Sequence, residues 1–142
     1  MLSITRISMR NFFSFGNAPQ VVELDSTDIS LILGQNNDAS PGDDNSGRRN
    51  GVGKSAIIQG IVFGLYGKSI GNDIKIPNLV NKINSKNCEV IIDFIKDGVE
   101  YRIERGRSPT YFNFYTLDKN NNVVDESRGE KKDTQEDLNE IL

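Results

Sequence analysis

The chain has 142 residues with 17 Lys+Arg, 20 Asp+Glu and no His, for a formal net charge of −3. Without histidine there is no Ser-His-Asp triad, no imidazole base and no histidine metal site, and the single Cys88 excludes an internal disulfide or a cysteine zinc cluster. The slight acidic excess gives no general attraction for nucleic acid, so any such contact needs a local patch or a partner.

Residues 2–9 alternate imperfectly between apolar and polar, which predicts a half-buried strand with a slip near Arg6. Val21, Val22 and Leu24 predict a second short strand. The turn formers Gly16, Asn17 and Pro19 between the two read as a hairpin-like link. Residues 29–33 are nearly all apolar and predict a strand buried on both faces. A polar stretch without periodicity follows from Gly34 to Gly51 and is expected to be a loop. From Lys54 the period turns helical. Ile58, Ile61, Val62 and Leu65 predict one apolar helix face, with Gly67 as the stop. A short helical turn is expected around residues 79–82.

The period then becomes two. Residues 89–95, 99–104 and 111–117 predict an antiparallel meander, with a Lys96-Asp97-Gly98 turn and a short strand at Val123-Val124. Phe112 and Phe114 should share one face, Tyr111 and Tyr115 the other. Thr134-Gln135-Glu136-Asp137 reads as a helix start, followed by Leu138, Ile141 and Leu142. One domain over residues 1–142 is expected. No apolar run approaches the ~18 residues of a spanning helix, so no membrane contact is expected. Residues 1–24 hold no apolar core of a signal peptide. The lone cysteine suits a reducing cytoplasm.

Asn50-Gly51-Val52-Gly53-Lys54-Ser55, between an apolar run and a helix, has the chemistry of a phosphate-binding loop. Gly51 and Gly53 leave room for a polyphosphate against backbone amides, and a helix N-terminus adds partial positive charge. Lys54 supplies a point charge for β- and γ-phosphates, and Ser55 a hydroxyl for magnesium. The full G-x-x-x-x-G-K-[ST] pattern needs Gly at position 48, where this chain has Arg48. The strand-exit glycine is therefore read as Gly34, with an insertion of about residues 36–49 splitting the loop. Arg48 and Arg49 read as a solvated loop rim or, alternatively, as groups that reach the phosphates or a partner chain.

Two other constellations stand beside this one. Val90-Ile91-Ile92-Asp93 imitates an acidic magnesium-holding strand, which would make the chain a compact, self-sufficient P-loop NTPase if residues 29–33 and 89–93 were adjacent and parallel. Arg102, Arg105 and Arg107, with Lys96, Tyr101 and Tyr111 nearby, could instead form a non-enzymatic DNA-binding hairpin, though Glu100 and Glu104 interleave. Cys88 reads as a small strand residue.

The residues also carry a resemblance. Arg10-Asn11-Phe12-Phe13-Ser14-Phe15 is similar to the "NF-x-S" opening of SMC-like ATPases, although Phe13 stands where that family often has Arg. Gly34-Gln35-Asn36, resumed at Asn50–Ser55, resembles their G-x-N-G-x-G-K-S loop. Residues 61–68 and Tyr101-Arg102-Ile103-Glu104-Arg105-Gly106 resemble further segments of the same lobe. The chain is identified as a member of the SMC-like, double-strand-break-repair type of ABC ATPase, which includes ATPase subunits of tailed-phage recombination endonucleases. The resemblance implies an α/β fold: a P-loop NTPase, the N-terminal lobe of an ABC ATPase head, with an antiparallel meander. It implies ATP and Mg²⁺ as cofactors, held by Gly34, Asn36, Asn50, Gly51, Val52, Gly53, Lys54, Ser55 and Ala56, with Arg10, Asn11 and Ser14 nearby and Ser55 on the metal. It also implies a metal-dependent nuclease partner, DNA ends as substrate, head dimers sandwiching ATP, and a cytoplasmic setting. The signature motif and catalytic acid are expected after Leu142, so no catalytic residue is expected within this chain, which alone should hydrolyse little.

Overall fold

The computed structural model describes residues 1–24, 31–33, 53–71, 73–117, 122–127 and 131–142. Strand β1 (Leu2–Arg10) is followed by β2 (Gln20–Glu23), helix α1 (Lys54–Tyr66), a 3₁₀ turn (Ile76–Leu79), strands β3 (Cys88–Lys96), β4 (Val99–Arg107), β5 (Tyr111–Leu117) and β6 (Val123–Asp125), and helix α2 (Lys131–Ile141). The strands form one six-stranded sheet in the order β2-β1-β3-β4-β5-β6, every neighbour antiparallel. The slip expected near Arg6 is a register shift between Ile4 and Arg6 where β1 pairs with β3.

Period-two alternation gives the sheet two chemically distinct faces. In one row Ile7, Ile92, Ile103 and Phe114 stand opposite one another on successive strands. In the next, Met9, Val90, Arg105 and Phe112 do the same. All but Arg105 are buried. Both helices pack here: α1 against β1, β3 and β4, α2 against β5, with Leu138 of α2 fully buried. On the opposite face Glu23, Arg6, Asp93, Arg102 and Tyr115 form a row across five strands, while Tyr111 turns its hydroxyl to Glu89.

Helix α1 buries a different face from the expected one. Ile57, Gly60, Phe63 and Gly64 meet the sheet, Leu65 is also buried, Ile61 and Val62 are half-buried, and Ile58 is 54% exposed. The reason is close approach. A Cβ on Gly64 would sit 2.3 Å from Ile92 Cδ1, and one on Gly60 2.7 Å from Met9 Sδ. The glycines let the helix axis come down onto the sheet, and the bulkier residues are turned aside. Gly67 ends the helix as expected, in a left-handed conformation with its N–H bonded to Phe63 O at 2.9 Å.

Other expectations shift. Leu31, Ile32 and Leu33 pair with no described strand, and Leu31 and Leu33 are 80% and 75% exposed, so the described end of that segment is not buried on both faces. The expected turn near residues 79–82 is the 3₁₀ turn at Ile76–Leu79, begun where Pro77 pre-sets the backbone. Helix α2 starts at Lys131, which makes Thr134 a buried first-turn residue instead of a cap. Phe112/Phe114 and Tyr111/Tyr115 take opposite faces as expected. No described helix is long and apolar enough to cross a membrane.

Candidate functional site

Helix α1 begins at Gly53, whose φ of 91° is left-handed and whose missing Cβ admits the Phe15 ring, an atom of which would stand 3.0 Å from it. Two independent constraints therefore require glycine here. Among the described residues no side chain caps the first turn of α1, and Ala56 N–H donates to Gly53 O at 3.1 Å. Amides at a helix start have no intrahelical acceptor, so an uncapped start presents donors and the positive end of the helix dipole.

These donors open into a cleft of about 510 Å³ lined by Phe13, Ser14, Gly53, Lys54, Ser55, Ala56, Gln59 and Ile74. Lys54 makes no ion pair among the described residues, and Ser55 is exposed. The cleft's chemistry, among the described residues, is thus a cation without an ion-pair partner, an exposed hydroxyl and helix-start amides beside an aromatic and an aliphatic wall. Such a set accepts a polyanion with an attached apolar ring. Ser14 and Ser55 supply hydroxyls to the cleft; no cluster of three acidic, Cys or His residues that could hold a metal ion occurs among the described residues.

The structure brings Ser14, Gly53, Lys54, Ser55 and Ala56 into one cleft. Gly34, Asn36, Asn50, Gly51 and Val52 lie outside the described residues. Arg10 and Asn11 are not among the lining residues. Arg10 ends β1 and lies 3.9 Å from Glu89. Asn11 is 1% exposed and works inside the fold: its Nδ2 donates to Asn17 Oδ1 and Asn87 O, and its Oδ1 accepts from Asn84 Nδ2 at 2.7 Å.

Phe13, Gln59 and Ile74 complete the cleft and lie outside the site residues expected from the sequence. Gln59 left a signal, being the polar residue within the apolar stretch of α1. Its amide exchanges two hydrogen bonds with the Ile70 backbone, Nε2 to Ile70 O at 3.1 Å and Ile70 N to Oε1 at 2.9 Å, which ties the segment after α1 back over the helix.

The rival constellations do not assemble. Strand β3 is antiparallel to both neighbours, and Asp93 accepts from Arg102 Nε at 2.7 Å and Nη2 at 2.9 Å, with Arg6 at 3.5 Å. An acid so neutralised, in an antiparallel hairpin, does not serve a compact P-loop NTPase. The same bonds raise the Arg102 pKa. Arg105 is on the core face, its guanidinium 3.7 Å from the Phe112 ring centroid, and burial lowers its pKa to about 10. The Arg102–Arg107 hairpin therefore does not present the expected free basic patch. Cys88 is 1% exposed, and burial pushes its thiol up to about 12. That suits an inert strand residue.

An antiparallel sheet seated on a glycine-faced helix with Gly-Lys-Ser at its start defines the N-terminal lobe of a P-loop NTPase of the SMC-like ABC ATPase class. Comparison with solved structures gives the same fold: a chain from work on ATP-driven dimerization and DNA stimulated activation of SMC ATPases superposes with TM-score 0.61 at 22% identity, covering 99% of this chain and 77% of that one. The chain belongs to the AAA domain family, which matches residues 6–142. It is similar to Exonuclease subunit 2 of Enterobacteria phage T4, 30% identical over 139 residues, 98% of this chain and 21% of that protein. It is likewise similar to Exonuclease subunit 2 of Escherichia phage RB69, 31% identical over 109 residues, 77% of this chain and 17% of that protein. The DNA double-strand break repair Rad50 ATPase of Thermococcus kodakarensis is 32% identical over 92 residues, 63% of this chain and 9% of that protein. The chain thus spans about a fifth of the length of the phage relatives.

Proposed function

We propose that this chain is the phosphate-binding lobe of the ATPase subunit of a DNA recombination and repair nuclease complex. The observation that carries the reading is the start of α1 without a side-chain cap, with Lys54, which has no ion pair among the described residues, and exposed Ser55 opening into the 510 Å³ cleft. In this reading Lys54 neutralises the outer phosphates of ATP, Ser55 offers its hydroxyl to Mg²⁺, and the helix-start amides bind phosphate oxygens. In the same reading Gly34, Asn36, Asn50, Gly51 and Val52 belong to the cradle, and Arg10, Asn11 and Ser14 to the turn near the nucleotide. The bound ion would screen phosphate charge. This lobe supplies binding and orientation, while the general base and an opposing head lie in other parts of the assembly.

The names of the relatives, Exonuclease subunit 2 and Rad50 ATPase, support the wider reading. In that reading the heads dimerise around ATP, a metal-dependent nuclease subunit is the partner, DNA ends are the substrate, and the setting is the host cytoplasm. The test is Lys54→Ala in the intact protein, titrated with a fluorescent ATP analogue and Mg²⁺. Loss of a charge-assisted contact should weaken binding by about ten- to a hundredfold. Unchanged affinity would overturn the reading.

A further inference from the structure

We infer that Asn81, which does not line the nucleotide cleft, is a positioning residue that sets the Phe13–Ser14 wall and thereby tunes nucleotide affinity. The inference rests on the ATP reading above.

Phe13 occupies the left-handed region at φ 52°, a conformation a non-glycine residue keeps only when its surroundings hold it there. What holds it comes from the last residue of the 3₁₀ turn and the segment just after it. Phe13 N–H donates to Leu79 O at 2.7 Å, and Asn81 Nδ2 donates to Phe13 O at 2.8 Å. Both main-chain polar groups of the strained residue are therefore tied to one segment 66 to 68 residues away, by subtraction of the residue numbers. Asn81 N–H also donates to Asn11 O at 2.8 Å, fastening the residue that precedes buried Phe12.

The other end of the Asn81 carboxamide faces its own turn. Oδ1 accepts from Ile83 N at 3.0 Å and from Asn84 N at 3.1 Å. Asn81 is 6% exposed, so water does not readily replace these partners. One amide thus works in two directions: its oxygen caps the 82–84 turn and its nitrogen draws in the cleft wall. Only a carboxamide offers a donor and an acceptor at that spacing. Aspartate would keep the acceptor, lose the donor, and oppose an anionic oxygen to Phe13 O.

This division of labour makes the role separable from plain stability. Asn84 lies in the same network, donating to Asn11 Oδ1 at 2.7 Å, but has no bond to Phe13 in the described set. In the intact protein, Asn81→Asp should weaken binding of a fluorescent ATP analogue with Mg²⁺ by about three- to tenfold, the equivalent of one lost neutral hydrogen bond. Asn84→Ala should lower the thermal midpoint and leave that affinity unchanged. Should Asn81→Asp fail to fold, Asn81→Ser carries the same test, since its hydroxyl can still accept from the turn but is too short to reach Phe13 O. Wild-type affinity in the folded Asn81 variant would overturn the inference. So would an affinity loss in Asn84→Ala that matches its loss of stability, because the whole network would then act only through folding. If wild type binds and Lys54→Ala does not, a null result at Asn81 counts against this inference alone. If wild type itself fails to bind, the ATP reading falls, and this inference with it.

Discussion

Arg105 donates from Nη2 to Gln135 Oε1 at 2.6 Å, and the pair together closes the end of α1. Arg105 Nε donates to Gly64 O at 2.9 Å and Gln135 Nε2 to Leu65 O at 2.9 Å. The last turn of α1 contains no basic residue, so β4 supplies the cation that the negative helix end favours. The opposite end of the same helix carries Lys54. The helix that opens the candidate cleft is thus anchored at its far end by a strand and by α2.

Removing that anchor should be costly. Arg105→Ala deletes two hydrogen bonds and a cation–aromatic contact from a buried site and is expected to destabilise the fold by about 2–4 kcal/mol. Gln135→Ala should cost about 1 kcal/mol. Urea unfolding of the two variants checks the order. Equal effects would show that Arg105 acts only through Gln135.

Gly64→Ala sets helix propensity against packing. Alanine favours a helix by about 1 kcal/mol over glycine. Its methyl, however, would meet Ile92 Cδ1 at 2.3 Å, and overpacking of this kind typically costs about 1–3 kcal/mol. We expect net destabilisation, relieved when Ile92→Val removes the opposing methyl. A double-mutant cycle measures this coupling, and simple additivity would contradict it.

Asp93→Asn should lower stability by about 1–3 kcal/mol, because two guanidinium groups lose their shared anion. Affinity for ATP and Mg²⁺ should stay at the wild-type value. A folded Asp93→Asn protein that lost Mg²⁺-dependent binding would return Asp93 to the metal site.

Cys88 should resist thiol reagents at pH 8 until the protein unfolds. Burial raises its folded pKa from an ordinary value of 9.0 to about 12. The folded chain therefore keeps a proton that the unfolded chain releases. The group's contribution to stability is full below pH 9 and is lost as pH rises toward about 12. The stability difference between wild type and Cys88→Ala, measured by urea unfolding at pH 8 and pH 10.5, should move against wild type at the higher pH.

The meander strands, the Lys96-Asp97-Gly98 turn and the slip near Arg6 were legible because strand alternation is a period of two along the chain itself. The start of α1 was legible because Gly53-Lys54-Ser55 combines a backbone need with a charge and a hydroxyl. The buried face of α1 was not. Apolar spacing pointed to Ile58, Ile61, Val62 and Leu65, of which Leu65 is buried, but glycine contributes nothing to a hydrophobic pattern and everything to close approach against Met9 and Ile92.

The arginines teach the same lesson from the charged side. Along the chain Arg102 and Arg105 belong to a basic run, and being three residues apart they point to opposite faces of β4. Across the sheet, register sets Arg102 beside Asp93, and Arg105 ends under Phe112 with α2 against it. Nothing local reports that pairing.

Sequence alone determined where β1, the meander strands and α1 run and that Gly53-Lys54-Ser55 stands at the start of a helix, since these depend on neighbours within a few residues. Tertiary structure decided which cations are free and which are held, which face of α1 is covered, and that Asn81 reaches Phe13. Those outcomes depend on contacts between residues dozens of positions apart, and strand register and helix seating set them only once the chain has closed on itself.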